Sequence, residues 1–201
     1  MEHLAHLKRD KRLKPVIEKQ QAVKLVPQKN IHLYLWTSIM SQQLSTKVAA
    51  VIHKRFMALY EGKPEPELIL STNVEDLRKI GLSNAKTSYI QNIARFSLEQ
   101  GLDFKMLNKM NNEEVIEFLT QIKGVGRWTA EMLLMFALGR EDVFAVDDLG
   151  IQNAMRKLYK LKEMEKKHLK QKLQRIAEKW SPYRTYACMY LWHWKDNVPG
   201  S

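Results

Sequence analysis

Apolar residues recur along this chain at helical spacing, and strand-like alternation is scarce. The densest run spans Ile31 to Met40, where Ile31, Leu33, Leu35, Trp36, Ile39 and Met40 cover almost every side of one helix. A helix apolar all round belongs at the centre of a core. Ser41-Gln42-Gln43-Leu44 interrupts it. Ser45 or Thr46 then caps a helix through Tyr60, with Val48, Val51, Ile52, Phe56 and Leu59 turned inward. Upstream, residues 1–14 are basic and frayed or briefly helical, Pro15 opens a first helix, and Pro27 lies near its end.

Punctuation divides the remainder into further helices. Gly62-Lys63-Pro64-Glu65-Pro66 is a linker loop. Thr72-Asn73-Val74-Glu75 fits a capping box and opens a short helix ending at Ile80-Gly81. Leu82-Ser83-Asn84 turns into a long helix from Ala85 to Gln100, stopped by Gly101. Asn111 or Asn112 caps a helix from Glu113 to Gln121, and another, heavily apolar, runs from Trp128 to Leu138 with Gly139 at its end. Asp147 or Asp148 caps the next, to about Leu161, and a lysine-rich helix with a solvated face follows from about Glu163 to Lys179. Ser181 and Pro182 stand as N-cap and first residue of the last helix. The pattern predicts an all-α chain.

Composition narrows what such a chain does. Its 201 residues suffice for one sizeable core or two small lobes. Lys and Arg total 33 against 22 Asp and Glu, a net charge of +11 that favours a polyanionic partner. One cysteine, Cys188, cannot build a disulfide framework, a zinc site or an iron–sulfur cluster. The N-terminus lacks an apolar signal region and no apolar run reaches membrane-spanning length, so the expectation is an intracellular protein without a membrane partner.

The candidate chemistry lies in Ile122-Lys123-Gly124-Val125-Gly126-Arg127-Trp128-Thr129-Ala130 and in the acidic pair Asp147-Asp148. The two glycines allow a sharp turn and close approach to a ligand. Backbone N–H groups at such a hairpin, beside a helix N-terminus, attract anions, and a DNA phosphate suits a chain this basic. Taken alone, Asp147 and Asp148 read as helix caps. Beside the hairpin, a carboxylate acting on DNA becomes the stronger reading: one Asp caps while the other faces a ligand, since neighbours on a helix point about 100° apart.

These segments resemble the helix-hairpin-helix (HhH-GPD) DNA glycosylases, closest to the 3-methyladenine DNA glycosylase II branch. Ile39-Met40-Ser41-Gln42-Gln43-Leu44-Ser45 matches a second family segment, Leu77-Arg78…Gly81-Leu82-Ser83…Ala85-Lys86 a third, and Tyr186-Ala187…Leu191-Trp192 a fourth. The resemblance covers roughly residues 30–195 and lacks the β-domain of the longer bacterial enzyme. The loop before the aspartates carries Ala145 where proline is frequent, which loosens it slightly.

The resemblance implies a two-lobed helix-hairpin-helix fold with the active-site cleft between the lobes. Residues 1–201 form a single glycosylase module, with 1–30 plus 150–201 as a terminal lobe and 31–149 as a helical lobe carrying the hairpin 121–127. It implies a base excision repair enzyme that flips alkylated purines of the 3-methyladenine and 7-methylguanine type out of duplex DNA. The enzyme hydrolyses the N-glycosidic bond and leaves an abasic site. Asp148 aligns with the catalytic aspartate, and Asp147, Trp128 and Trp192 with the base pocket. For both tryptophans a core position is the competing reading, and for Trp192 the two readings weigh evenly. Trp128 also stands where lyase relatives carry a lysine; an indole cannot form the Schiff base, so strand cleavage is not expected.

The same resemblance assigns phosphate contact to Lys123, Gly124, Val125, Gly126, Arg127 and Thr129. It assigns duplex insertion to Gln43, with Gln42 and Leu44 as the other choices. The carbonyls of Thr120, Ile122 and Val125 match those that hold a monovalent Na+ or K+; no cofactor is required. A monomer, in the cytoplasm or nucleoid of a bacterium, completes the expectation. Alternatives are a glycosylase for a neutral base (uracil or hypoxanthine), a non-catalytic DNA-binding module, and a lyase, which would need a reactive amine near Asp148, where only Lys123 is close in sequence.

Overall fold

A computed structural model of the chain describes residues 1–196, so residues 197–201 of the expected terminal lobe lie outside the described residues. The chain divides into two compact units, residues 28–138 and residues 1–27 with 139 onward. The second division falls at Leu138/Gly139 rather than after residue 149, so both aspartates belong to the terminal unit and not with the hairpin. No strand occurs among the described residues, and none of their helices is long and apolar enough to cross a membrane.

The terminal unit begins with α1 (Glu2–Leu7) and α2 (Lys14–Glu18). Pro15 does open α2, but the helix stops at Glu18 and residues 21–30 run without regular structure, so Pro27 ends no helix.

The second unit is a helical bundle. It starts with α3 (Ile31–Ser41), capped by Asn30, whose side chain accepts from the Leu33 N–H at 3.0 Å. Leu35, Trp36, Ile39 and Met40 of α3 are fully buried, and the Trp36 indole N–H donates to the Ile90 carbonyl at 3.2 Å. α4 (Thr46–Leu59) takes Ser45 as its cap. Only Ile52 and Phe56 of its expected inward face are buried; Val48, Val51 and Leu59 stay open because α4 is covered along a narrower stripe than its periodicity offers. α5 (Pro66–Ser71) and α6 (Val74–Lys79) are short. The Thr72 capping box does not form: Thr72 ends α5, donating to the Leu68 carbonyl and accepting from Tyr60, and Asn73 holds the cap position of α6.

Ser83 caps α7 (Asn84–Gln100), which packs on α3 and α5. α8 (Phe104–Lys109), capped by Asp103, was not expected. α9 (Asn112–Thr120) opens on a complete capping box between Asn111 and Glu114. α10 (Arg127–Phe136) packs on α9 and α3, and the Tyr34 hydroxyl of α3 donates to the Met132 carbonyl at 3.0 Å.

The chain then re-enters the terminal unit through α11 (Leu149–Tyr159), α12 (Lys166–Ala177), a 3-10 turn (Glu178–Trp180) and α13 (Arg184–Asp196). α13 packs on α11 and α2. The last helix begins at Arg184 and not at Ser181-Pro182. Its first turn is held by Asp142, which accepts from the Arg184 backbone N–H and forms a two-pronged ion pair with its guanidinium at 2.6 and 2.9 Å. Asp10 knits the far end of this unit, accepting from the Tyr159 hydroxyl at 2.6 Å, the Trp180 indole at 3.1 Å and the Arg12 N–H at 2.9 Å.

Candidate active site

The segment that carries the aspartates is fixed before α11 starts. The Val143 N–H donates to Thr185 Oγ at 3.1 Å, while the same hydroxyl donates to the Arg140 carbonyl at 2.6 Å. Ala145 is fully buried and its carbonyl accepts the Asp148 N–H at 3.1 Å, so burial supplies the rigidity that a proline would give. From the far side, Gln152 Nε2 donates to the Val146 carbonyl at 2.7 Å.

Asp148 sits at the N-cap of α11. Its Oδ1 accepts from the Ile151 N–H at 2.8 Å and from the Trp192 indole N–H at 3.0 Å. Two donors on one oxygen fix the plane of the carboxylate. The expected split between a capping Asp and a working Asp does not occur: Asp148 is both the cap and the candidate acid. Asp147 instead forms an ion pair with Lys170 of α12, so its carboxylate is directed to an ammonium rather than to a base. Trp192 is half-buried in α13, and its indole N–H is bonded to the candidate acid. Gly150 leaves room beside this contact, because a Cβ there would stand 3.0 Å from Asp148 Oδ1 and 3.3 Å from Trp192 Cδ1 and press on both.

The hairpin lies in the other unit. The Val125 N–H closes its turn onto the Ile122 carbonyl at 2.9 Å, and Gly124 adopts φ +108°, which only glycine takes without strain. Its two glycines differ in kind. A Cβ on Gly124 would collide with the Tyr89 ring, whereas one on Gly126, the N-cap of α10, would meet nothing. α7 holds the hairpin from below through Tyr89 and through Asn92, whose amide donates to the Lys123 carbonyl at 3.2 Å.

Lys123 and Gly126 are exposed, and the first turn of α10 presents the backbone N–H groups of Arg127, Trp128 and Thr129. Two side-chain expectations change here. The Arg127 guanidinium is committed to Glu113 at 2.6 and 3.0 Å and to Glu131 at 3.1 Å, so it belongs to α9 and α10 rather than to a phosphate. This pairing holds the Glu113 carboxyl below its usual range. Thr129 is buried, which leaves only its N–H for any contact, and Val125 is buried too. Trp128 remains 41% exposed, unlike a core tryptophan.

The third cluster follows α3. Ser41-Gln42-Gln43-Leu44 forms a hydrogen-bonded turn, Leu44 N–H to Ser41 carbonyl at 3.2 Å, with Gln43 and Leu44 exposed at its tip and Gln42 half-buried. Lys86 Nζ donates to the Met40 and Gln42 carbonyls at 2.9 and 2.7 Å. The structure thus joins Asp148 with Trp192, and groups Lys123 to Trp128 in one hairpin. Gly150, Tyr89, Asn92 and Lys86 went unassigned from sequence. Gly150 had a visible cue in its place two residues after the acid; the other three act through distant partners.

Comparison with known proteins gives this arrangement a family. Residues 37–179 match the HhH-GPD superfamily base excision DNA repair proteins, and the chain belongs to that superfamily. It is 37% identical over 194 residues to DNA-3-methyladenine glycosylase 1 of Schizosaccharomyces pombe, covering 94% of this chain and 84% of that one. The fold is similar to the crystal structure of a DNA-3-methyladenine glycosidase from Bacillus halodurans, with TM-score 0.83, 39% identity and coverage of 97% and 89%. It is also similar to S. pombe 3-methyladenine DNA glycosylase (Mag1) in complex with abasic DNA, with TM-score 0.84, 34% identity and coverage of 96% and 95%.

Proposed function

We propose that this HhH-GPD protein is a DNA N-glycosylase of base excision repair that removes alkylated purines and leaves the strand intact. The observation that carries the reading is the Asp148 carboxylate, held by the α11 N-terminus and the Trp192 indole in a chain with these relatives. The base must leave the stack before its glycosidic bond can be reached. As that bond breaks the sugar gains oxocarbenium character, and a fixed carboxylate stabilises the charge and orients water. A purine alkylated at N3 or N7 is already cationic and leaves readily, so little acid catalysis on the base is required. An indole face attracts such a cation, which is the role given to Trp128 and Trp192. With Trp128 at its position no amine forms an imine with the sugar, which supports hydrolysis without strand cleavage.

The exposed N–H groups of the hairpin bind backbone phosphates on any sequence, and Gln43 fills the gap left by the flipped base. A monovalent cation on the Thr120, Ile122 and Val125 carbonyls goes with this reading. Neutral carbonyl oxygens suit a hard monovalent ion, and the Ile122 oxygen keeps a lone pair after accepting from Val125. A monomer working on duplex DNA inside the cell completes it. The test is to incubate methylated duplex DNA, and in parallel duplexes containing uracil or hypoxanthine, with the protein and identify the released bases by chromatography. Release of 3-methyladenine and 7-methylguanine, with strands that break only on alkali treatment, is expected; release of uracil or hypoxanthine alone would point to a neutral-base enzyme.

A further inference from the structure

The turn after α3 has a conformation that its sequence does not favour. Gln42 stands at φ −53° and ψ 130°, and Gln43 at φ 58°. With the Leu44 N–H on the Ser41 carbonyl, these angles define a type II turn. Its third position requires positive φ and is normally glycine or asparagine. A glutamine there is under backbone strain, and such strain persists only where the surroundings enforce it. The relaxed alternative is a type I turn, which differs by rotation of the central peptide and returns the third residue to negative φ.

The carbonyl of that central peptide belongs to Gln42, and Lys86 Nζ donates to it at 2.7 Å. The same ammonium donates at 2.9 Å to the carbonyl of Met40, one of the last in α3. A cation at a helix C-terminus is well placed to satisfy such carbonyls. Rotating the peptide into the type I form would turn the Gln42 oxygen away from Lys86 and break the shorter bond.

We propose that Lys86 is a positioning residue that locks this turn in its type II form and thereby aims the exposed Gln43 side chain. The role rests on the reading that Gln43 enters the duplex beside the flipped base. Lys86 touches neither substrate nor reacting atoms. It acts through the Gln42 peptide, from the first turn of α7, whose Ser83 cap fixes the lysine backbone at 3.3 Å.

Lys86→Met keeps the side-chain length and removes the donors; Lys86→Arg keeps a donor, and Lys86→Gln serves if the methionine variant does not fold. Single-turnover base release and affinity for undamaged duplex are measured separately. Lys86→Met should slow release by about tenfold or more with duplex affinity unchanged, and Lys86→Arg should recover most of the rate. Gln43→Ala should be comparably slow, and Lys86→Met with Gln43→Ala no slower than Gln43→Ala alone, because both act at one point. A wild-type rate for Lys86→Met beside a slow Gln43→Ala overturns the role of Lys86 and leaves the insertion reading standing. A wild-type rate for Gln43→Ala overturns the insertion reading itself. Additive losses, or a parallel loss of duplex affinity, would show that Lys86 supports the fold rather than the turn. A crystal structure of Lys86→Met with Gln43 still at positive φ would contradict the proposal irrespective of any rate.

Discussion

Gly150 is the second residue of α11, and the space it leaves is occupied by Asp148 Oδ1 and the Trp192 indole. Its φ lies outside the left-handed region, so alanine there is no backbone strain. In a helix alanine is favoured over glycine by about 1 kcal/mol. The added methyl would nonetheless press on the contact between carboxylate and indole. Gly150→Ala should therefore keep or raise the melting temperature while slowing base release by about tenfold. A thermal melt and a single-turnover assay on one preparation check this; a loss of both properties would mean that the glycine serves the fold. At this scale the sequence was legible where one residue sets its own backbone, as in the Asp148 helix cap and the positive φ of Gly124. It was misleading where a partner decides. Arg127 is basic and adjacent to a phosphate-type hairpin, yet Glu113 and Glu131 claim it. Asp147 is acidic and adjacent to the candidate acid, yet Lys170 claims it.

Among elements, α7 connects two features that are far apart in sequence. Lys86, Tyr89 and Asn92, three residues apart along the helix, hold the Gln42 peptide, the Gly124 turn and the Lys123 carbonyl respectively. The hairpin glycines accordingly predict different outcomes. Gly124→Ala places a Cβ at positive φ and against Tyr89, and should destabilise the protein by about 2 kcal/mol. Gly126→Ala meets open space and should leave the melting temperature unchanged, while weakening binding to damaged and undamaged duplexes alike. Equal melting temperatures for the two variants would refute this division of roles. The helices α3, α7, α9 and α10 were legible because caps and apolar periodicity agree there. α8 was missed, and the Thr72 capping box misread, because short helices are set by neighbours more than by their own pattern.

Over the whole molecule, charge and the division into two units matter most. The excess of 33 basic over 22 acidic residues predicts duplex binding that weakens steeply as salt rises. Acid stability depends on Asp10. Burial pushes its carboxyl up, but donors from Tyr159, the Arg12 N–H, Trp180 and the Leu13 N–H outweigh this and hold it below its ordinary 3.8. A carboxyl held low in this way contributes stability above its unfolded pKa, which is lost as pH falls toward the folded value. Asp10→Asn should cost about 2 kcal/mol at neutral pH, with the gap from wild type closing below about pH 4; denaturant melts at both values check it. The all-α class was legible from periodicity, whereas the unit boundary at Leu138/Gly139 was not, since residues 140–143 are bonded to Arg184 and Thr185, more than forty positions away in sequence. The proposed role of the Asp148 carboxylate in hydrolysis is decided by single-turnover release from methylated duplex by Asp148→Asn, with affinity for that duplex measured alongside. The amide keeps shape but loses charge, so release should fall by about a hundredfold or more while binding is retained. Release near the wild-type rate, or a protein–DNA adduct trapped by borohydride in the wild type, would contradict it.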